Sequence, residues 1–314
     1  GGTYFIDITV PTAPVVVQYE AGGFAGAVWR DFKTYQNYCY GVADLGNSST
    51  LQVFDLSNLP TSVTKVYDSN NFFRRAHNIF VDTLSGRLYC SGANNNNQGI
   101  TVLDIKTNPA NPTLLIQANL GAYSHDIYVE NDTVYSFTGV DAGVQVWDFS
   151  NLPAVNLISN LPFYPEAGYC HSGWLDKTGN FLYHADETSN TGIKISDFSN
   201  LAAPSTVSTF RSALLAPIHT NSMPHNVFVR GDLLFISYYE EGVQVYDISN
   251  PVVPVKVGFW DTHPSNTDYN GTFGCWGVYP YFPSGTIIAS DDLNGLFVLQ
   301  LNTSFPVEYG DFTS

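Results

Sequence analysis

The chain has 314 residues, of which 44% are hydrophobic and only 13% charged, and its formal net charge is −16 with 12 Lys and Arg in total. Nucleic acids and anionic membrane surfaces are recognised by basic protein faces, so this charge argues against both as partners. The 21 Phe and 20 Tyr favour pleated, half-buried surfaces over helices. No apolar run reaches the roughly 18 residues that a membrane-spanning helix needs, so we expect no transmembrane segment.

One strand pattern recurs along the chain: alternating apolar residues, usually after a Gly, followed by an Asp. The copies end at Asp7, Asp55, Asp104, Asp148, Asp197, Asp247 and, with Gln at the Asp position, Gln300. Subtracting successive positions gives spacings of 48, 49, 44, 49, 50 and 53 residues. This period is typical of a propeller blade and is too long for a leucine-rich repeat or a β-helix coil.

Each repeat contains four strand signals, which in one copy cover residues 77–81, 87–90, 99–105 and 112–116. Turn residues separate them, and no segment has the period of an amphipathic helix. The Asp that ends the third strand is followed by turn sequences such as Ser57 to Pro60. This arrangement predicts an Asx turn, in which the carboxylate accepts backbone N–H groups that the strand ladder leaves unpaired.

Strands of period two without intervening helices predict antiparallel meanders, and many such copies predict an all-β propeller with four-stranded blades. First strands begin near six positions, which define six complete units: Arg30, His77, His125, His171, His225 and Gly274. Residues 1–20 supply only the outer half of a blade. We therefore expect one domain over 1–314, with seven blades of which the first is incomplete; its inner strands would precede residue 1 or come from a partner chain. Six blades are the alternative, and a two-sheet sandwich fits the period poorly.

The four cysteines, Cys39, Cys90, Cys170 and Cys275, have no CxxC spacing, which argues against a zinc ribbon or redox motif. Cys39 and Cys90 occupy the same position in the second strands of neighbouring blades, and we expect both to be buried free thiols. For Cys170 and Cys275, a disulfide between them and a role as a thiolate metal ligand are both open. Glycosylation sequons begin at Asn47, Asn131, Asn270 and Asn302. Together with the acidic surface, they predict an extracellular or cell-surface location and a glycoprotein.

Several ordered motifs resemble the choice-of-anchor B family of LVIVD-repeat propellers over nearly the whole chain. They are residues 29–33, 76–80, 124–127 and 171–175, together with the closing runs 281–291 and 295–298. The resemblance implies a secreted, bacterial-type surface protein whose relatives carry varied C-terminal anchors. It brings no established activity.

Four histidines occupy the same register, the start of a blade's first strand: His77, His125, His171 and His225. In a propeller this position and the loop after the second strand converge on the axis, so we expect these imidazoles to meet carboxylates there. The predicted ligand-binding residues are Arg30, Asp31, Asp126, Glu187, Glu240 and Asp291. Imidazoles with carboxylates are ligands for Zn, Fe or Cu, and the acidic loops alone would suit Ca²⁺.

The repeated histidine has a structural alternative, because duplication would preserve one loop-to-strand hydrogen bond in every blade. No Gly-x-Ser-x-Gly elbow or phosphate-cradling loop is present, and no catalytic residue is assigned. The leading hypothesis is a non-enzymatic binding or structural module that meets protein or glycan partners. A metal-dependent hydrolase or oxidoreductase, with Glu187 or Glu240 as base, and a subunit of an extracellular assembly are the alternatives.

Overall fold

The computed structural model describes residues 1–94, 99–212, 221–265 and 271–302. Every regular element in these ranges is a β-strand. The chain divides into two compact units, Gly1–Ile158 and Ser159–Thr313.

The first unit contains a two-stranded sheet followed by three four-stranded blades. The two-stranded sheet is β1 (Gly2–Asp7) and β2 (Val15–Ala21). Blade 1 is β3 (Arg30–Tyr35), β4 (Tyr38–Ala43), β5 (Leu51–Asp55) and β6 (Thr64–Ser69). Blade 2 is β7 (Asn78–Asp82), β8 (Arg87–Ser91), β9 (Ile100–Asp104) and β10 (Thr113–Ala118). Blade 3 is β11 (Asp126–Glu130), β12 (Thr133–Phe137), β13 (Val144–Asp148) and β14 (Asn156–Leu161), whose last strand contains the boundary between the units.

The second unit contains two further four-stranded blades and a three-stranded one. Blade 4 is β15 (Cys170–Leu175), β16 (Phe181–Asp186), β17 (Ile193–Asp197) and β18 (Ser205–Phe210). Blade 5 is β19 (Asn226–Arg230), β20 (Leu233–Ser237), β21 (Val243–Asp247) and β22 (Val255–Trp260). Blade 6 is β23 (Cys275–Tyr279), β24 (Thr286–Asp291) and β25 (Gly295–Gln300).

The chain is therefore an all-β propeller of antiparallel blades, as the repeat predicts. The described residues form six blades, which is the alternative count, and β1 and β2 form a separate two-stranded sheet. The predicted starts of the first strands agree with the observed ones to within one residue. Each blade is a meander, because consecutive strands in the chain are neighbours in the sheet.

Burial follows the position of a strand in its blade. In blades 1 to 5 the second and third strands are buried on both faces, as in β8 and β9, whereas fourth strands such as β6 alternate between exposed and half-buried positions. The core between blades 1 and 2 contains Tyr40, Val53 and Ile79, and that between blades 4 and 5 contains Ile195 and Leu234. Each such buried aliphatic side chain contributes about 1.5–3 kcal/mol to folding.

The predicted Asx turns are confirmed after the third strands. In each, the Asp carboxylate accepts the N–H of the residue two positions later at 2.8 Å, as Asp55 does from Ser57 and Asp148 from Ser150. The same bond recurs at Asp7, Asp104, Asp197 and Asp247. Since a hydrogen bond to the charged form favours it, the pKa of Asp55 and that of Asp148 lie below their usual range.

All four cysteines are buried and free, so the thiols expected at Cys39 and Cys90 are confirmed and Cys170 is not bridged to Cys275. Three of the sequon asparagines, Asn47, Asn131 and Asn302, are exposed, and Asn270 lies outside the described residues. Within the described ranges there is no helix of the length and hydrophobicity that crossing a bilayer requires.

Candidate functional site

The four register histidines form two pairs, one in each unit. The rings of His77 and His125 lie 3.8 Å apart between centroids in the first unit. Those of His171 and His225 lie 4.3 Å apart in the second. A single site built from all four histidines stays a prediction.

The polar residue that follows the histidine register recurs because its side chain hydrogen-bonds to the neighbouring blade. Asp31 accepts the backbone N–H of Ile79 and the Asn78 amide, both at 2.9 Å. Asn78 in turn accepts the N–H of Ile127 at 3.4 Å. These bonds recur at the same place in successive blades, so Asp31 and Asn78 hold first strands together. A ligand-binding role for Asp31 stays a prediction.

Arg30, which occupies the histidine register in blade 1, bonds the two-stranded sheet to the first blade. Its guanidinium donates to Thr3 Oγ1 at 3.2 Å and to Gln52 Oε1 at 2.9 Å. Gln52 also donates to the carbonyl of Ala21 at 3.0 Å. The guanidinium is thus already engaged by β1 and β5, and ligand binding by Arg30 stays a prediction.

The His77 cluster consists of Asp44, His77, His125 and Asp126. His77 Nδ1 lies 2.8 Å from Asp44 Oδ2, and its Nε2 lies 3.9 Å from Asp126 Oδ1. His125 Nδ1 lies 3.2 Å from the same Asp126 oxygen. Arg75 adds a distant contact to Asp44 at 3.7 Å. Two imidazoles therefore alternate with two carboxylates.

The carboxylates favour the charged form of His77. Burial opposes that form, but the hydrogen bond with Asp44 and the charges of Asp126, Asp44 and Asp31 outweigh it and raise the pKa of His77. Burial also opposes ionisation of Asp44, yet the bond from His77 and the nearby positive charges lower the pKa of that carboxyl. Both shifts favour the ion pair between His77 and Asp44.

The His225 cluster consists of His171, Glu187 and His225. His171 Nε2 lies 3.7 Å from Glu187 Oε2, and His225 Nε2 lies 3.9 Å from Glu187 Oε1. His225 Nδ1 makes a short hydrogen bond to the carbonyl of Trp276. A carbonyl only accepts, so Nδ1 carries a proton, and in the neutral form of the ring the lone pair is on Nε2, the nitrogen that faces Glu187.

Two irregular strands build this second cluster. The pairing of β15 with β16 shifts register between Cys170 and Ser172, which places a bulge at His171. The pairing of β23 with β24 shifts between Cys275 and Gly277, which places a bulge at Trp276. An extra residue in a strand bends it and re-aims a side chain or carbonyl. The alternation of apolar residues carries no signal for such an insertion.

The Tyr239 side chain contacts Glu187. Tyr239 is not among the residues that the sequence predicts for the site. Its hydroxyl donates a short hydrogen bond to Glu187 Oε1, and its ring lies 4.7 Å from that of His225. Tyr239 has a φ of 39°, which is unusual for a bulky residue. Its carbonyl accepts from Cys275 N at 2.8 Å and from Gly242 N at 2.9 Å, so the surrounding backbone fixes this conformation.

Both clusters offer three ligand atoms that lie within 4.8 Å of one another. Zinc holds nitrogen and oxygen ligands at about 2 Å, which separates neighbouring ligands by about 3.3 Å in a tetrahedron. In the His225 cluster the two nitrogen-to-oxygen distances, 3.7 and 3.9 Å, exceed this separation by about 0.4 and 0.6 Å. A hydrogen bond on the far nitrogen of a ligating histidine is also the usual support for a metal site.

The remaining predicted residues, Glu240 and Asp291, are buried with exposed fractions of 6% and 5%. Asp291 Oδ1 accepts the N–H groups of Leu293 at 2.9 Å and Asn294 at 2.7 Å, and so closes the turn before β25. Glu240 lies in the turn between β20 and β21. Ligand binding by either residue stays a prediction.

A third group, Cys170, His184 and Asp186, lies wholly inside blade 4. Asp186 is joined to the fully buried Lys194 at 2.5 Å and accepts the Tyr164 hydroxyl at 2.9 Å. Burial, with the charge of Lys194, lowers the pKa of His184 to about 3, so this ring is neutral. With Lys194 already neutralising Asp186, the group is a buried ion pair of the blade rather than a metal site.

The cysteines are poorly suited to nucleophilic chemistry. Burial raises the pKa of Cys39 to about 12, and it also raises the pKa of Cys90 and of Cys275 far above the usual thiol value. The thiolate is the reactive form, so these thiols are inert near neutral pH.

Comparison with known proteins agrees with the architecture. The family model of the LVIVD repeat matches residues 93–119 and 223–262. The first stretch includes β9 and β10, and the second includes all four strands of blade 5. None of the curated proteins matches this chain in sequence.

Solved propeller structures are similar over most of the chain. A protein from Lactobacillus plantarum has a TM-score of 0.66 at 14% identity, covering 95% of this chain and 91% of its own. The periplasmic gluconolactonase of Pseudomonas aeruginosa has a TM-score of 0.64 at 10% identity, with coverages of 88% and 81%. The Cps50 (Swd1) β-propeller domain of Myceliophteria thermophila has a TM-score of 0.63 at 10% identity, with coverages of 88% and 83%. Identities this low establish the fold alone.

Proposed function

We propose that this chain is a secreted or cell-surface binding module whose His225 cluster holds a divalent transition-metal ion such as zinc. One observation carries the proposal: Nε2 of His171 and Nε2 of His225 face the two oxygens of one carboxylate, at 3.7 and 3.9 Å. The bond from His225 Nδ1 to the Trp276 carbonyl leaves Nε2 as the nitrogen that can ligate a metal at this point. Such a set combines two imidazoles with a carboxylate, which suits zinc.

The side-chain partners argue against a purely repeated packing role for the histidines. If one duplicated hydrogen bond explained the register, equivalent rings would have equivalent partners. Instead, Nδ1 of His77 meets the Asp44 carboxylate, whereas Nδ1 of His225 meets a backbone carbonyl. The shared structural role falls to backbone groups: the N–H of His77, His125 and His225 each bonds the carbonyl of the adjacent second strand.

The surface location follows from the resemblance to the choice-of-anchor B propellers, of which we propose this chain is a member. The exposed sequon asparagines and the net charge of −16 are consistent with that location. Protein or glycan partners are the proposed ligands of the acidic, aromatic surface.

Metal content tests the proposal. The protein is purified without chelators or a histidine tag, its zinc is measured by inductively coupled plasma mass spectrometry, and binding is followed by calorimetry. We expect one tightly bound zinc ion per chain, lost in His225→Ala and kept in His263→Ala, since His263 belongs to neither cluster. Wild-type protein that binds no zinc at micromolar concentrations would overturn it.

A metal-dependent hydrolase is the second candidate, because three protein ligands leave the fourth tetrahedral position for a water molecule. A zinc ion held by His171, His225 and Glu187 would supply a bound water that ionises near neutral pH, which is the nucleophile that ester or lactone hydrolysis needs. Turnover of lactones or aryl esters by the zinc-loaded protein, absent in His225→Ala, supports the hydrolase. Zinc binding without turnover supports the binding module.

A further inference from the structure

The first strands of blades 4, 5 and 6 each carry an aromatic residue at the same position of the repeat. The three residues are Trp174, Phe228 and Tyr279, and each pairs with an equivalent position of the second strand. The rings of Trp174 and Phe228 lie 5.3 Å apart between centroids. The repeat therefore places aromatic rings next to one another in adjacent blades of the second unit.

The segment after β23 extends this group to five rings, which we call the aromatic patch: Trp174, Phe228, Tyr279, Tyr281 and Phe282. The ring of Tyr281 lies 5.6 Å from that of Trp174, at an angle of 31°, and 5.4 Å from that of Tyr279. Phe282 lies 5.1 Å from Tyr279. Tyr279 is 41% exposed and the other four are half-buried, so the patch presents its rings to solvent.

Arg230, the last residue of β19, borders the aromatic patch. Its Nη1 donates to the carbonyl of Pro280 at 2.8 Å. The Tyr281 hydroxyl donates to the carbonyl of Val229, the residue before Arg230, at 2.9 Å. These two bonds place the guanidinium beside the backbone that carries Tyr279 and Tyr281.

The guanidinium of Arg230 has no counter-charge among the residues that the structure describes. The residue is only 8% exposed, yet no carboxylate of these ranges forms an ion pair with it. Arg87 and Arg211 are more exposed, and each has a carboxylate at 2.7 Å. Nε of Arg230 is buried without a hydrogen-bond partner, whereas Nη2 is neither hydrogen-bonded nor buried and so faces solvent. A cation largely removed from water is unfavourable without an anion beside it.

We propose that the aromatic patch and Arg230 bind a glycan that bears a uronic acid. The sugar ring lies on the exposed aromatic rings, and its carboxylate accepts a hydrogen bond from Arg230 Nη2. One face of a pyranose ring consists of C–H groups that pack flat on an aromatic ring, and a guanidinium forms a charge-assisted hydrogen bond with a carboxylate.

The charge of the chain favours one carboxylate over a polyanion. A single uncompensated cation on a chain of net charge −16 cannot offset the repulsion of several phosphates or sulfates. An acidic peptide would supply the carboxylate but no flat C–H face for the rings. This inference rests on the proposed glycan partners and names their chemical class, and it is independent of the zinc site.

Two disaccharides test the site: one of glucose alone, and the same disaccharide with glucuronic acid at its non-reducing end. Binding is measured by saturation-transfer NMR and calorimetry, with a chelator present so that zinc takes no part. We expect the wild type to bind the acidic disaccharide about tenfold more tightly than the neutral one. Tyr279→Ala should weaken binding of both. Tyr4→Ala, which removes an exposed tyrosine from β1, is the matched control and should change neither.

Arg230→Gln should bind both disaccharides with the affinity that the wild type has for the neutral one. Arg74→Gln removes an exposed arginine of the first unit and should keep the wild-type preference. Near-ultraviolet circular dichroism checks the fold of each variant, and the wild-type preference decides the matter if Arg230→Gln does not fold. Wild-type protein that binds neither disaccharide at millimolar concentrations would overturn the proposal.

Two further outcomes overturn the site in distinguishable ways. Equal affinity of the wild type for the two disaccharides would leave a glycan partner in place but remove Arg230 from its recognition. Tighter binding of a glutamate-rich peptide than of the acidic disaccharide would assign the aromatic patch to a protein partner instead. Neither outcome bears on the zinc content of the His225 cluster.

Discussion

The His77 cluster and the His225 cluster use the same histidine register, yet the strands that carry them differ. In the first unit β7 and β11 pair with their neighbours without a register shift. In the second unit, bulges at His171 and Trp276 change the direction of one ring and one carbonyl. Regular strands leave His77 between two carboxylates. In the second unit one bulge is at His171 and the other is at Trp276, whose carbonyl bonds His225, and the Nε2 atoms of both histidines face one carboxylate. Histidines at equivalent positions of the repeat thus have different side-chain partners where a strand contains one extra residue.

The acids of the two clusters are also held differently. Asp44 and Glu187 each directly follow the second strand of a blade. Asp44 is half-buried and has Arg75 at 3.7 Å, while Glu187 follows Asp186, which is fixed by the wholly buried Lys194. The His225 cluster therefore rests on a rigid base, as a metal site requires.

The largest expected effect is on stability, from Asp186→Asn. Removing one partner of a buried ion pair leaves Lys194 uncompensated and should lower the free energy of unfolding by about 3–5 kcal/mol. Asp232→Asn, which breaks the exposed pair with Lys177, is the control and should cost less than about 1 kcal/mol. Urea denaturation measures both. Equal effects for the two variants would contradict the rigid base beneath Glu187.

The next effect separates the clusters by metal affinity. His225→Ala should weaken the tightest zinc binding by about 100-fold or more, because the His225 cluster loses a ligand. His125→Ala should leave that binding within about twofold, because the raised pKa of His77 makes protons compete more strongly with zinc in the other cluster. Calorimetry at pH 7 gives both constants. A larger loss of zinc affinity in His125→Ala than in His225→Ala would place the tighter zinc site in the His77 cluster.

A smaller effect is expected from Tyr239→Phe, which removes only the hydroxyl that donates to Glu187. Groups that orient a metal ligand typically contribute about 10–100-fold to affinity, and we expect the lower end of this range. Tyr183→Phe is the matched control, since its buried hydroxyl bonds the Pro251 carbonyl at 2.9 Å. Zinc titrations of both variants that give identical constants would remove Tyr239 from the site.

The smallest effect is a pH dependence confined to the His77 cluster. The folded-state pKa of His77 is raised, so its contribution to stability is present below the unfolded value of about 6.5 and is lost as pH rises through the folded one. Asp44→Asn should lower this pKa and remove that loss. NMR titration of the metal-free imidazoles checks it, with the His225 resonances as internal reference. An unchanged His77 titration would rule out Asp44 as the cause.

Much of this architecture could be predicted from the repeat. The spacing of the strand-ending Asp residues predicts both the blades and the Asx turns, because alternation and turn chemistry are local properties. The bulges at His171 and Trp276 could not be predicted, since pairing register depends on the neighbouring strand. Lys194 occupies the register held by Gln52 and Gln244, so its complete burial follows only from the partner Asp186. The strained Tyr239 has no sequence signal.

X-ray absorption at the zinc edge, on protein loaded with one equivalent of zinc, tests the central assignment most directly. We expect two imidazole nitrogens with carboxylate and water oxygens at about 2 Å, and one imidazole fewer in His225→Ala. A zinc environment of oxygens alone, or a spectrum unchanged by His225→Ala, would contradict the assignment of the His225 cluster as the metal site.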